Sequence, residues 1–451
     1  MDDSTRRSVP SGNNARCLGV IELPLHRPAS SSIWLRTRRA LMNLDWLYGL
    51  IHLGFWSYVW ISLAMVQTTM MAVTVYLHRD ATHRSLDLHP ALRHFFRFWI
   101  WFTSSMLTRE WVAVHRKHHA FADTEGDPHS PIIDGLRRIL LEGAEFYKRE
   151  ARNPDCVQQY GKGAPDDWIE RRIYSRHRNA GIVAFIVLQL LLFGVPGIII
   201  VAVQMLAMPV LAAGVINGLG HGIGYRNFEV ENASRNIIPW GLFIGGEELH
   251  NNHHAFPSSA KFSIRPWELD AGWLCVVVLR SLGLAKVKRV APRPCVIAAR
   301  QQADDHAAHA VIHTRMHVLR AYAAQVVAPV LEHELGRELP RRAARAARKL
   351  LTRSPMLLDM NAKLRLQQLL AAHPVLRTVY DCQEHLRQLW GTVASTKEDA
   401  AGRFVSWCGR AEASGIRALE EFAGTLRRFA FADRQNAGEG DVRYHTERQR
   451  A

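Results

Sequence analysis

The 451-residue chain has only six cysteines, Cys17, Cys156, Cys275, Cys295, Cys382 and Cys408, and no two of them form a C-x-x-C pair. That removes the usual ligand pattern of an iron–sulfur cluster. Scattered thiols fit a protein that faces a reducing cytoplasm. No G-x-G-x-x-G follows a strand pattern, so the fingerprint of a bound flavin or nicotinamide is missing, and no His-Pro-Gly-Gly haem signature occurs. There is no H-E-x-x-H for a zinc hydrolase, nor a Glu-x-x-His pair on each of two helices for a carboxylate-bridged di-iron bundle. The first 40 residues mix Ser, Arg, Asn and Pro without periodicity, which reads as a disordered basic segment rather than a cleavable signal. Met42 is an alternative start, and the polar tail over 433–451 reads as flexible.

What the chain does have is hydrophobic mass, concentrated before about residue 285. Residues 46–77 are almost uninterrupted apolar sequence, long for one crossing of a bilayer and short for two, and are expected as a compressed hairpin. Residues 180–216 are a second such stretch, broken by Gly194-Val195-Pro196-Gly197, and are expected as a helical hairpin turning there. Residues 94–107, rich in Phe and Trp, cover about half a span and suit an amphipathic helix in the interface. Arg79, Arg84, Arg109, Arg116, Lys117, Arg171 and Arg172, with Arg36, Arg38 and Arg39 ahead of the first stretch, put one face in the cytoplasm by the positive-inside bias. The expected fold is therefore all-α: a membrane-embedded bundle of about four transmembrane helices in two hairpins, a cytoplasmic histidine-rich cap, and a soluble helical extension. The expected divisions are 1–40, 41–290, 299–432 and 433–451.

Eight histidines stand in three clusters, His78 and His83, then His115, His118 and His119, then His250, His253 and His254. Imidazole is a preferred ligand of iron, copper, zinc and nickel, and nothing in an apolar core calls for adjacent pairs such as His118-His119 and His253-His254 twice over. In H-x-x-H-H, the residues at i+3 and i+4 both flank residue i on one helical face, so each such box is expected to present three nitrogens together. The i,i+5 spacing of His78 and His83 sets the rings about 140° apart on an ideal α-helix, which places that box where a helix unwinds. Asn217 and His221 form an i,i+4 pair just beyond the second apolar stretch, adding a ninth imidazole and a carboxamide able to orient a metal-bound water. Nine imidazoles are too many for one ion and suit two. With the carboxylate pattern missing, an all-histidine di-iron centre at a membrane surface is the remaining fit, and its chemistry is activation of O2 against an unactivated C–H bond.

The four motifs, H-x-x-x-x-H, H-x-x-H-H, N-x-x-x-H and H-x-x-H-H, in this order around apolar blocks, resemble the membrane fatty acid desaturases of the stearoyl-CoA 9-desaturase type. The resemblance covers roughly 46–290 and includes Glu110-Trp111, Asp123-Thr124-Glu125, Asp127-Pro128-His129, Gly224-Tyr225-Arg226, Gly246-Glu247, His250-Asn251 and Phe256-Pro257. The run from Val215 through Phe228 and on to His250 is most similar to bacterial members. The resemblance implies a cis double bond introduced at carbon 9 of a saturated acyl-CoA. It also implies two Fe2+ ions held by His78, His83, His115, His118, His119, His221, His250, His253 and His254, with Asn217 acting through water. The partners implied are an acyl-CoA or acyl-lipid substrate, O2, membrane lipids, and a separate electron carrier such as a ferredoxin with its NAD(P)H-dependent reductase. The place implied is a bacterial inner membrane with the site facing the cytoplasm. An acyl-lipid desaturase or a fatty acyl hydroxylase is the alternative within this chemistry. His52, His89, His94 and His129 lie outside the motifs and read as structural or interfacial.

From about residue 299 to 430 the sequence turns helical and soluble, rich in Ala, Leu, Arg and Glu, with apolar residues at helical spacing such as Leu350, Leu351, Leu357 and Leu358. The segments 369–380 and 410–416 resemble the C-terminal helical part of certain insertion-sequence transposases, without a catalytic carboxylate triad. A helical accessory module is the plainer expectation. The net charge of +16 suits anionic headgroups, an acidic electron donor and the phosphates of coenzyme A. A membrane-anchored nucleic-acid-binding protein is the competing reading, and the histidine boxes speak against it.

Overall fold

The computed structural model describes residues 47–296, 305–336, 340–391 and 397–431. The expectations for 1–40, Met42 and 433–451 lie outside these. The described chain is mostly helical, with only two-stranded pairings between short strands.

The first apolar stretch is one helix, not a hairpin. Helix α1, Phe55–Met71, runs without a break into a π-helical segment, Ala72–Thr82. No Gly or Pro lies between Phe55 and Thr82, so nothing in the sequence opens the hydrogen-bond ladder to let the chain turn. Together they make a 28-residue helix that is apolar enough to cross a membrane. At about 1.5 Å per residue it reaches roughly 40 Å, longer than a bilayer core of about 30 Å. Its polar end, carrying His78 and Arg79, is therefore free to stand clear of the apolar layer. The outer half of α1 exposes Phe55, Trp56, Trp60 and Leu63, whereas 72–80 is wholly buried.

Helix α2, Pro90–Ser104, has Pro90 in its first turn and His89 as N-cap, and stops at Ser105, whose φ of 57° is left-handed. It is amphipathic as expected, exposing Phe95 and Phe98 while burying Phe96, Ile100 and Trp101. Helices α3, Thr108–Phe121, α4, Leu136–Ala151, and α5, Pro154–Tyr160, follow.

The second stretch forms the expected helical hairpin, α6, Ala180–Phe193, and α7, Val195–Ala207. It turns at Gly194, whose φ is +65° and where a Cβ would run into the Leu47 carbonyl. Only glycine fits both demands. Helix α7 continues as a π-helix, Met208–Leu219. Pro209 lacks an N–H and crowds the preceding turn, which widens the helix there. The whole segment Val195–Gly222 is again long and apolar enough to cross a membrane, while α6 has 14 residues. Helix α4 packs on 208–219 through small residues, since a Cβ on Gly143 would meet the Ala213 carbonyl at 2.6 Å.

The end of α1 is clamped from behind by α8, His250–Ala255, and by the segment leading into α9, Ala271–Ser281. The fully buried Arg79 donates to Asp270 at 2.9 Å and to the Ala260 carbonyl at 2.9 Å, and its guanidinium lies 3.8 Å over Phe262. Asp270 also caps α9 through Trp273 N–H. Strand β1, Leu86–Leu88, pairs antiparallel with Ala285–Val287, which ties the two ends of this part of the molecule together.

The remaining helices have their own core. They are α10, Asp305–His313, α11, Arg315–Tyr322, α12, Ala328–Leu335, α13, Arg341–Thr352, α14, Met360–Ala372, α15, Pro374–Gly391, α16, Lys397–Glu412, and α17, Arg417–Arg427. Tyr322, Leu376, Leu386, Phe404, Trp407 and Phe422 form its centre. This bundle does not hang free. Met316 and Leu319 of α11 join Phe228, Val230, Ala255 and Phe256 in a small shared cluster.

Candidate metal centre

The nine histidines converge from four places in the chain into two groups. His78, His83, His115, His119 and His253 form one; His118, His221, His250 and His254 form the other, and within each group the donor atoms lie within 4.8 Å of one another. Each H-x-x-H-H box is thus split between the groups, which corrects the expectation that its three nitrogens act together. The reason is angular. On an α-helix, i+3 and i+4 sit about 60° to one side and 40° to the other of residue i, so one of them follows residue i and the other faces the neighbouring site. On α3, His115 and His119 stay together; on α8, His250 and His254 do.

His78 and His83 reach the same group by a different device. The π-helical end of α1 closes an i→i+5 hydrogen bond from His83 N–H to the His78 carbonyl at 3.1 Å, and this wider turn brings residues five apart onto one face. Their ring centroids are 5.0 Å apart.

Nε2 faces Nε2 throughout. In the first group, His78–His253 (3.0 Å), His253–His119 (2.9 Å), His119–His115 (3.1 Å) and His115–His83 (3.1 Å) form one chain. In the second, His118–His254 (3.3 Å), His254–His250 (3.1 Å) and His250–His221 (3.1 Å) form another. An imidazole Nε2 has one lone pair or one hydrogen, so an inner member cannot satisfy two such neighbours by itself. A shared cation does. For a metal–nitrogen bond of about 2.1 Å, adjacent ligands of an octahedron stand about 3 Å apart, which is the spacing seen. The donor set therefore fits two nitrogen-preferring metal ions.

Behind the rings, carboxylates fix the tautomers. His78 Nδ1–H donates to Glu247 (2.7 Å), His118 Nδ1–H to Asp127 (2.9 Å) and His221 Nδ1–H to Asp123 (2.7 Å), leaving each Nε2 lone pair for metal. Asn232 lies 3.1 Å from His254 Nδ1. No carboxylate enters either group. Burial, reinforced by the neighbouring charges, pushes His83, His115, His119, His250, His253 and His254 well below the ordinary imidazole value, so they are neutral donors at neutral pH. Burial would do the same to His118, but the Asp127 carboxylate outweighs it and raises that ring. Burial would in turn raise Asp127, and the His118 charge and hydrogen bond hold it well below the carboxylate range instead.

Sequence reasoning missed His129. Rather than lying apart, it stacks on His118 with centroids 4.7 Å apart, is buried, and has neither ring nitrogen hydrogen-bonded. Its place immediately after Asp127-Pro128 was the available signal. Trp111 stacks on His115 with ring centroids 4.8 Å apart and planes 10° apart. Asn217 joins neither group but lines, with His78, His115 and His129, a cavity of about 320 Å3. Lys148, Arg152 and Asn179 stand at the exposed rim of that cavity, and Gln204 and Met208 line its buried part. Of the other histidines outside the motifs, His89 caps α2 and His52 stacks on Tyr48.

A family model described as fatty acid desaturase matches residues 54–275. The Delta-9 acyl-lipid desaturase 2 of Arabidopsis thaliana is 30% identical over 236 residues, 51% of this chain and 74% of that protein. The chain belongs to the fatty acid desaturase family. The sn-1 stearoyl-lipid 9-desaturase of Synechocystis sp. is 30% identical over 233 residues (51% of this chain, 71% of the relative). An Acyl-CoA 5-desaturase of Anemone leveillei is 30% identical over 235 residues (51% and 71%). The desaturase-family match leaves the distal helices uncovered, and a second model, described as transposase, matches residues 299–431.

Proposed function

We propose that the chain introduces a cis double bond at carbon 9 of a saturated fatty acyl-CoA. The observation that carries this reading is the cavity, which brings apolar side chains, Met208 and Ile216 among them, together with His78, His115, Asn217 and Glu247 at the metal centre and with cations at its rim. Two iron ions held by the nine histidines would supply O2 activation at that point. The protein's part is to hold the acyl chain against His78, His115 and Trp111 with the two reacting carbons bent towards the cis geometry, to keep bulk water from it, and to fix His78, His118 and His221 through Glu247, Asp127 and Asp123. Asn217 stands where a carboxamide can orient a water on the cavity side. In the overall balance, a CH2–CH2 pair loses two hydrogens, and O2 takes these together with two electrons and two protons to leave as two waters. The electrons come from a separate carrier, a ferredoxin with its NAD(P)H-dependent reductase.

Lys148 and Arg152 suit the phosphates of coenzyme A. They suit a phospholipid headgroup as well, and an acyl-lipid substrate is the second reading, supported by the acyl-lipid and stearoyl-lipid names of two relatives. Residues 41–290 are the desaturase unit in this reading, 299–432 an accessory helical unit, and the place is a bacterial inner membrane with the metal face in the cytoplasm. Expression in a desaturase-null host, with and without supplied stearate, tests the function. A carbon-9 monoene is expected, and iron-loaded protein that yields no monoene would overturn the proposal. Purified protein given stearoyl-CoA or stearoyl-phosphatidylcholine separates the two substrates.

A further inference from the structure

The helical bundle lies over the loop that closes the second histidine group. That loop, 223–236, is fastened from below by Asp123, which accepts from both His221 and the Ala233 N–H (2.7 Å each), and by Asn232 against His254. Arg226 braces it from within, donating to the carbonyls of Val230 (3.0 Å), Asn232 (2.9 Å) and Ser234 (3.2 Å). Arg226 is thus separated from the metal ligand His254 by Asn232 alone.

Cations of the bundle gather on this loop. Arg353 stands 3.9 Å from Glu229. Lys349 has Arg353, Arg235 and Arg226 as charged neighbours, and Arg353 foremost, ahead of burial, lowers its ammonium. Arg226 at 3.4 Å and Arg353 at 3.9 Å, one from each of two separately cored parts of the molecule, flank the carboxylate of Glu229, with Lys349 and Arg235 as further charged neighbours. Helix α13 extends the patch, since it holds Arg341, Arg342, Arg345, Arg348 and Lys349, no acidic residue, and none of the five is ion-paired among the described residues. A lone basic helix is ordinarily a solvated face. Here the like charges are pressed together across the joint between two units, an arrangement that costs free energy unless an anionic surface covers it.

We propose that α13, Arg353 and the 223–236 loop form the docking surface for an acidic one-electron carrier protein, with electrons entering through the His118, His221, His250 and His254 group. The need for a carrier rests on the desaturase reading: two electrons are consumed per double bond, and the sequence holds no flavin, haem or iron–sulfur motif that could deliver them to the metal centre. The place follows from charge, and from the loop's Asn232 lying against His254. Opposite charge steers a carrier to this spot, and the short route through Asn232 gives the encounter its purpose.

The test uses the full chain, iron-loaded and in detergent, with an acidic plant-type [2Fe–2S] ferredoxin as probe. Its binding is titrated directly at low and high salt, without turnover. Reversing Arg345, Arg348 and Lys349 together to Glu is expected to weaken binding about tenfold or more and to flatten its salt dependence. The control reverses Lys363, Arg365 and Arg377, exposed on other helices of the bundle, and leaves binding unchanged. Iron content and dithionite-driven single turnover stay as in the parent for both. Ferredoxin that binds the α13 variant as tightly as the parent overturns the docking surface. So does binding of a short DNA duplex through these residues in place of ferredoxin. If dithionite-reduced protein makes no monoene while ferredoxin binding still depends on α13, the desaturase reading fails and the docking surface stands.

Discussion

Asp127 shows how much a residue outside the ligand set decides. Its carboxylate holds the His118 Nδ1–H at 2.9 Å and accepts the backbone N–H groups of Asp123 and His129. Asp127→Asn removes the negative charge that sets the ring's tautomer, and metal affinity at the second group is expected to fall about 10–100-fold. Metal analysis after dialysis against a graded chelator measures it, and retention of both ions would contradict the role. His221→Ala is expected to abolish desaturation nearly as fully as His118→Ala, because each removes one of only four donors in that group. His129→Ala is expected to lower turnover while the metal content stays as in the parent, since its ring belongs to neither of the two all-histidine groups. Loss of an iron from His129→Ala would instead make it a ligand.

Elements carry the next scale of control. Helix α4 and the π-helical 208–219 segment touch through Gly143 and Gly214, with Ala144 and Ala213 in the cavity wall. Gly143→Val forces the helices apart, since even a Cβ would meet the Ala213 carbonyl at 2.6 Å. Overpacking of this kind costs about 1–3 kcal/mol, and it reshapes the cavity beside Asn217. A lowered melting temperature with an altered chain-length preference is expected; unchanged products across C14 to C18 acyl substrates would show that this helix pair does not form the wall. The π-turn at the end of α1 matters equally, because it alone puts His78 and His83 on one face.

At the scale of the whole molecule, the joint between the two parts is expected to weaken in acid through one buried ring. His317 of α11 stacks on Phe256 with centroids 5.1 Å apart. Burial, then the charges of Arg320 and Arg293, lower its pKa from 6.5 to about 4. Above pH 6.5 the ring is neutral whether docked or free, and the joint has its full strength. As pH falls from 6.5 towards 4, the free ring takes a proton that the docked ring refuses, so docking weakens by up to ~3 kcal/mol. Amide exchange at Phe228 and Phe256, corrected for its intrinsic pH dependence, is expected to speed up over that range in the parent. In His317→Phe, which keeps the stack and has no proton to bind, it should speed up less, and equal pH profiles would remove His317 from the joint.

The chain order of the nine histidines, their spacing, and the Gly194 turn were legible in the sequence because each is a local pattern: a helix period, or a residue that alone tolerates one backbone angle. The proposal of two metal ions and O2 chemistry rests on counting ligands and on the missing carboxylate and cysteine patterns, and the two histidine groups fit it. The single helix over Phe55–Thr82 was legible too, in its lack of Gly and Pro, yet length alone pointed to a hairpin. What only the tertiary structure decided is how local faces meet. Splitting of the H-x-x-H-H boxes depends on the crossing of α3 and α8, and the pairing of His78 with Glu247, 169 residues away, depends on the fold that joins them. The seating of α11 on Phe228 and Phe256 likewise arises from surfaces whose complementarity exists only after both have formed, so no period in the sequence announces it.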